Sequence, residues 1–225
     1  MTGGELLTDS GATFLENRLG LGDLDFTNIS NLTVGDTAAK WHADVKGYTN
    51  VISIYDVNYQ GNNYLIGGYS TIGHDGSGYS GYYSDPSLTA NNFLFNLTLG
   101  LTHNTQNISG YLNQSNQFDN AEYFATFGGG HDLFGGASVL GNTGGNQAYI
   151  YSSASSYNYG YNYGGTENLL GDKAGGVQYL TINGLESYVF NPAAPTPSRV
   201  PEPAMFALLA LGLAAVGVGN KRKNA

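Results

Sequence analysis

Three rhythms of apolar and polar residues divide the chain. Near the start, "TDSGATFLENRLGLG" sets Leu15 and Leu19 four positions apart, on one face of a short helix. Asp9 or Ser10 is the candidate cap, and Gly20 and Gly22 are stop signals. "GDTAAKWHADVKG" predicts a second short helix, with Asp36 as cap and Ala38, Trp41 and His42 along one side. From Asn50 onward the period falls to two. "NVISIYDV", "NYLIGGYS", "NNFLFNLTL", "QAYIYSS" and "VQYLTINGLESYVF" are aromatic or β-branched runs separated by Gly, Asn, Asp and Ser. In the third run Phe93, Phe95, Leu97 and Leu99 alternate with Asn96 and Thr98, which predicts one packed and one wetter side. Short strands without long intervening helices predict a mainly β (α+β) fold. It is a two-sheet antiparallel β-sandwich with short flanking helices. The biased stretch "SSASSYNYGYNYGGTEN" reads as an exposed Tyr-rich loop or as alternating strand positions, and the loop is the favoured reading.

The third rhythm is a continuous apolar run. From Ala204 to Val218 no side chain is polar, which suits hydrocarbon on all sides and predicts a C-terminal transmembrane helix. About fifteen residues at ~1.5 Å each reach ~22 Å, short of a ~30 Å bilayer core, so the anchor is marginal. Lys221, Arg222 and Lys223 follow as a basic stop cluster that stays cytoplasmic, placing the body on the other side. Pro201 and Pro203 hold Val200 and Glu202 extended ahead of the helix. "NPAAPTPS" before them reads as a semi-rigid spacer.

The order Val200-Pro201-Glu202-Pro203, apolar run, basic cluster resembles the PEP-CTERM sorting signal, over residues 200–225. A plain C-terminal anchor is the simpler alternative. The resemblance implies recognition by an exosortase, a membrane-embedded cysteine protease or transpeptidase of Gram-negative bacteria that make extracellular polysaccharide. It also implies an inner-membrane stage with the C-terminus cytoplasmic, then delivery to the envelope or a biofilm-like matrix. Export calls for a secretory signal, and "MTGGELLTDSGATFLENRLG" has no basic region followed by an apolar core. The expectation is a start further upstream or a signal already removed.

Charge narrows the partners. The 225 residues carry a formal net charge of −9, but four of the eight Lys and Arg lie in the tail. Residues 1–198 hold four cations against sixteen acids, so no surface suits the phosphates of nucleic acid. The absence of cysteine excludes disulfides, zinc–thiolate sites and a thiol nucleophile.

"TFGGGHD" is the most site-like stretch. Gly128, Gly129 and Gly130 allow positive φ, bringing His131 and Asp132 into a tight turn expected beside a sheet edge. His131 is a candidate general base oriented by Asp132, with His42 or Glu186 completing a set if the fold gathers them. The bland reading is a packing histidine bonded to backbone, and no recognisable catalytic constellation is present. The expectation is therefore a non-enzyme. His42, His74, His103 and His131 are scattered without ligand spacing, so neither metal nor cofactor is expected. "HDGSGYSGYYSDP" lacks the ligand alternation and closing Glu of a calcium loop and reads as turns. "GGYS" and "FGGASVLGNTGGN" lack the Lys-Ser/Thr of a phosphate cradle.

The sequence "AAKWHADVKGYTNVISIYDV", then "YLIGGYS", "GYYSDPSLTANNFLFNLT", "ATFGGGHDLF" and "YLTINGLESYVF" resembles the TLDc domain, over residues 6–190. The resemblance implies a sandwich of two antiparallel sheets flanked by short helices. It implies no established reaction; eukaryotic members are linked to oxidative-stress protection and to binding the vacuolar proton ATPase. The segment before "GGGHD" is short and polar, and "INGLESYVF" carries extra residues beside the more usual uninterrupted Ile-Glu-Val-Phe type ending. Together these readings give an exosortase-sorted interaction module that meets polysaccharide or surface proteins. The alternative is a hydrolytic or antioxidant enzyme using His131 with nearby carboxylates.

Overall fold

The computed structural model describes residues 3–74, 81–82, 89–105, 116–128, 131–152, 159–160, 167–172 and 176–194. The chain divides into two compact units, Met1–Pro192 and Ala193–Ala225. The VPEP motif, the apolar run, the basic cluster, most of the Tyr-rich stretch and most of "HDGSGYSGYYSDP" lie outside the described residues. Among the described residues no helix is long and apolar enough to cross a membrane.

Two helices form where the 3.6 period predicts them, but their caps differ from expectation. Helix α1 (Asp9–Leu19) is capped by Thr8, whose Oγ1 accepts from Gly11 N at 3.2 Å, and closes at Gly20. Helix α2 (Ala38–Val45) is capped by Thr37, which accepts from Lys40 N at 3.2 Å. A cap must be the extended residue just before the helix, with its oxygen at the third helical N–H. Thr8 and Thr37 hold that place, and Asp36 instead accepts from Thr33 N at 2.9 Å.

The strands build two antiparallel sheets. The first contains β1 (Leu24–Thr33), β2 (Val51–Tyr59), β3 (Asn62–Ser70), β5 (Phe93–Asn96), β6 (Leu101–Thr105), β11 (Tyr159–Gly160) and β13 (Thr181–Pro192). Its order is β1-β13-β2-β3-β5-β6-β11. The second contains β4 (Gly81–Tyr82), β7 (Gln117–Asp119), β8 (Thr126–Phe127), β9 (Leu133–Phe134), β10 (Tyr149–Ser152) and β12 (Gly176–Tyr179). Its order is β12-β10-β9-β8-β7-β4. The run "VQYLTINGLESYVF" is not one strand: it breaks at Leu180, and β12 and β13 join different sheets. β13 continues through Asn191 and Pro192, which pair with Asp25 and Leu24, two residues into the stretch read as spacer.

Both faces of the seven-stranded sheet are buried. Leu32, Tyr55, Ile66, Leu94 and Leu185 join Trp41 of α2 and Phe127, Leu133 and Ile150 of the second sheet in the inter-sheet core. On the other face Phe26, Ile52, Ile54, Phe93, Phe95 and Tyr188 pack under Leu15 of α1. This double cover explains why Val51 to Tyr55 is buried at every position. It also overturns the wet side expected for "NNFLFNLTL": Leu94 and Asn96 are buried, the strand stops at Asn96, and Leu99 is exposed. Asn96 ends the strand because its side chain serves the turn, accepting from Leu99 N at 3.0 Å and donating to Leu169 O at 2.9 Å. The sheets approach closely at "GGYS", where a Cβ on Gly68 would fall 2.5 Å from the Phe127 ring.

Candidate functional site

The "GGGHD" turn is the hairpin between β8 and β9. Both are interior strands of the six-stranded sheet, so the turn does not flank a sheet edge as expected. Gly128 has φ +86° and His131 φ +68°, a left-handed backbone that is unusual for a histidine. The Asp132 carboxylate is buried against Gly128, at the place where a Cβ would stand. The mechanical reason for the glycine is therefore double: its φ and the space that Asp132 takes.

His131 sits in an aromatic cage on the outer face of the six-stranded sheet. Leu133 and Ile150 point into the inter-sheet core, so their neighbours Phe134 and Tyr149, paired in register, point out. The His131 ring stacks on Phe134 at 5.4 Å and 20°, and meets Phe118 at 4.8 Å, Tyr123 at 5.9 Å and Tyr149 at 6.4 Å. Its Nδ1 is buried with no hydrogen-bond partner. Burial holds the imidazole pKa below its usual range, and a hydrogen bond with the Gly128 backbone pushes weakly the other way. The ring packs on four aromatic side chains.

His42 belongs to the inter-sheet side. Its Nε2 lies 2.9 Å from Asn120 O and 2.9 Å from Tyr123 O, so this nitrogen carries the proton and donates. The ring also meets the Trp41 edge at 4.7 Å. His42 and His131 both touch Tyr123, one at its carbonyl and one at its ring.

Glu186 stands elsewhere. In β13 Leu185 and Ser187 face the inter-sheet core, and Glu186 and Tyr188 face α1. The Glu186 carboxylate accepts from Glu5 N at 2.9 Å, from Leu6 N at 2.9 Å and from the Tyr188 hydroxyl. It pins the segment leading into α1. The thickness of the sandwich therefore separates Glu186 from His131, and the four sequence candidates do not converge on one cavity. Among the described residues no group of three or more His, Asp or Glu is placed to hold a metal ion.

One polar cluster escaped the sequence. Where β3 ends and β7 begins, Gln117 is fully buried and bonds Ser70, Gly73 O, Asn92 at 3.2 Å and His74 Nδ1 at 3.3 Å. Asn92 Oδ1 accepts from Thr71 N and Oγ1, both at 2.9 Å. These residues lie in "YSTIGH", "NNF" and "NQF", far apart in the chain, and no periodicity links them. The cluster fixes the loop after β3 against the second sheet.

Residues 199–223 match the PEP-CTERM protein-sorting motif. Among curated proteins, none matches the chain. The motif indicates an exported protein whose C-terminal, membrane-anchored signal is recognised and processed by an exosortase. It suggests a surface protein.

Proposed function

We propose that the chain is a non-enzymatic envelope or surface module, TLDc-like in its body, sorted and processed through its tail in a Gram-negative bacterium that makes extracellular polysaccharide. The observation that carries this reading is the motif at residues 199–223, in which Val200-Pro201-Glu202-Pro203, an apolar run and Lys221-Arg222-Lys223 follow in order. The apolar run is the transmembrane helix of the unprocessed form, and the basic cluster keeps its end cytoplasmic. A body of two antiparallel sheets with short helices supports the TLDc-like reading. The interaction role is supported by the outer face of the second sheet, where Tyr149 meets Tyr179 at 6.1 Å and Tyr179 is 58% exposed. Such rings suit stacking on sugars or protein partners.

Replacing Pro201, Glu202 and Pro203 together by Ala tests the sorting step. The variant is expected to remain full length in the inner-membrane fraction, with the wild type shortened and outside it. Equal distribution and equal length of the two forms would contradict the proposal.

The second reading, a hydrolytic or antioxidant enzyme, is favoured by two observations on His131, its left-handed backbone and its unpartnered Nδ1. Esterase and peroxidase turnover that disappears in His131→Ala, with the fold intact by circular dichroism, would establish it over the first.

A further inference from the structure

A row of paired residues crosses the face of the first sheet that α1 covers. Ile52 stands opposite Tyr69, Tyr69 opposite Phe93, and Phe93 opposite Asn104. Over the end of this row, beside the last turn of α1, lies a pocket of about 350 Å³. Its wall includes Arg18, Tyr69, Asn91, Phe93, Asn104 and Thr105. The volume is near the lower bound of the ~300–1,000 Å³ typical of ligand sites, room for a single ring and not for a chain.

Arg18 gives the pocket its chemistry. The guanidinium carbon lies 4.3 Å above the centre of the Phe93 ring, and Nη2 donates to Asn104 Oδ1 at 2.5 Å. Stacking and this one hydrogen bond fix the orientation of a planar fork that has five N–H donors. Lys40 of the same body has two carboxylates, Asp36 and Asp44, each at 3.8 Å, whereas Arg18 makes no ion pair among the described residues. In a body with sixteen acids, a half-buried guanidinium held by a neutral amide is a charge kept available. Burial lowers its pKa, the mark of a cation partly stripped of water without a counter-ion. Among the described residues no acidic side chain lines the pocket; its other polar groups are the amides of Asn91, Asn92 and Asn104 and the hydroxyls of Tyr69 and Thr105.

These features select the ligand. A fixed guanidinium matches a carboxylate with two parallel hydrogen bonds. A single cation in a strongly acidic body suits a monoanion better than a doubly charged phosphate. Neutral amides and hydroxyls around it suit sugar hydroxyls. We propose that the Arg18 pocket binds one uronic-acid unit, with its carboxylate on Arg18 and its hydroxyls on Asn91, Asn104 and Thr105. The choice of a sugar rests on the surface reading above. The carboxylate site itself does not.

Isothermal titration of the purified full-length protein in detergent tests this, with a hexuronate trisaccharide, its neutral methyl ester and acetate as ligands. The trisaccharide is expected to bind at least tenfold more tightly than the ester or acetate. Arg18→Gln is expected to abolish binding, and Arg18→Lys, which keeps the charge and loses the fork, to weaken it at least tenfold. Both variants should melt within a few degrees of wild type, which separates a lost site from a lost fold. Equal binding of trisaccharide and ester, undiminished binding by Arg18→Gln, or no binding at millimolar ligand would overturn the pocket assignment. Acetate binding as tightly as the trisaccharide would overturn the sugar. None of these outcomes depends on where the cell delivers the protein, so a failure here is distinct from a failure of sorting.

Discussion

Tyr55 of the first sheet donates its hydroxyl proton to the carbonyl of Ala125, at the entrance to β8 of the second sheet, across 2.8 Å. The side chain is 1% exposed, and burial raises its pKa well above the usual tyrosine range, so it stays a donor at all ordinary pH. This bond ties the two sheets together within the inter-sheet core. Tyr55→Phe leaves the Ala125 oxygen without that donor, a loss of about 1–2 kcal/mol. Urea unfolding is expected to show a lower midpoint with an unchanged slope. An unchanged midpoint would mean that the bond contributes nothing.

Glu186 has a comparable role on the other face. Glu186→Ala removes the acceptor of two backbone N–H groups and of the Tyr188 hydroxyl. A cost of about 3 kcal/mol is expected from the lost bonds to the part-buried Glu5 and Leu6 amides and the buried Tyr188 hydroxyl, near ~6–12 °C in melting temperature for a domain of this size. Hydrogen exchange should quicken first at Glu5, Leu6 and Leu7. Enzymatic turnover lost with the fold intact would instead give Glu186 a chemical role.

At the "GGGHD" turn, Gly128→Ala forces a side chain into φ +86° and against the Asp132 carboxylate. Destabilisation of at least ~1–3 kcal/mol is expected from the strain. Gly20→Ala, at φ +69° with nothing within 4 Å of its Cβ, serves as the comparison and should cost less. Equal costs would show that contact with Asp132 is unimportant.

Acid should weaken the body. Burial lowers the His103 pKa to about 4 from its ordinary 6.5, and lowers that of His131 in the same sense. Above pH 6.5 both folded and unfolded chains carry neutral His103, and it contributes no pH dependence. Between pH 6.5 and 4 the unfolded chain takes up a proton that the folded chain refuses, so stability falls by about 3 kcal/mol from this residue. His103→Asn should reduce the drop in urea midpoint between pH 7 and pH 4. A drop as large as in wild type would show that His103 is not its source.

The sequence carried the fold class because its strong runs are those that are buried. Val51–Tyr59 and Asn62–Ser70 appear as strands where alternating β-branched and aromatic residues placed them. β1 was not predicted, since "LDFTNISNLT" mixes Asp, Asn and Ser into its alternation and carries a bulge between Asn28 and Ser30. The two-residue strands β8 and β9 are too short for any period to register. At the site, glycine and histidine types marked the special backbone at Gly128 and His131. Their partners could not be read, because Phe118 and Tyr149 reach His131 through sheet order and not through spacing in the chain. Glu186 shows the same limit. Only the alternation of β13, shifted by the bulge between Ile182 and Gly184, decides which face it takes.

Intact-mass measurement of the protein from its native cells, with and without the exosortase, addresses processing most directly. With the enzyme present, surface material is expected to end upstream of Lys221, lacking the basic cluster and the apolar run; without it, Ala225 should persist in the inner membrane. Surface material that still ends at Ala225 with the enzyme active would contradict the account.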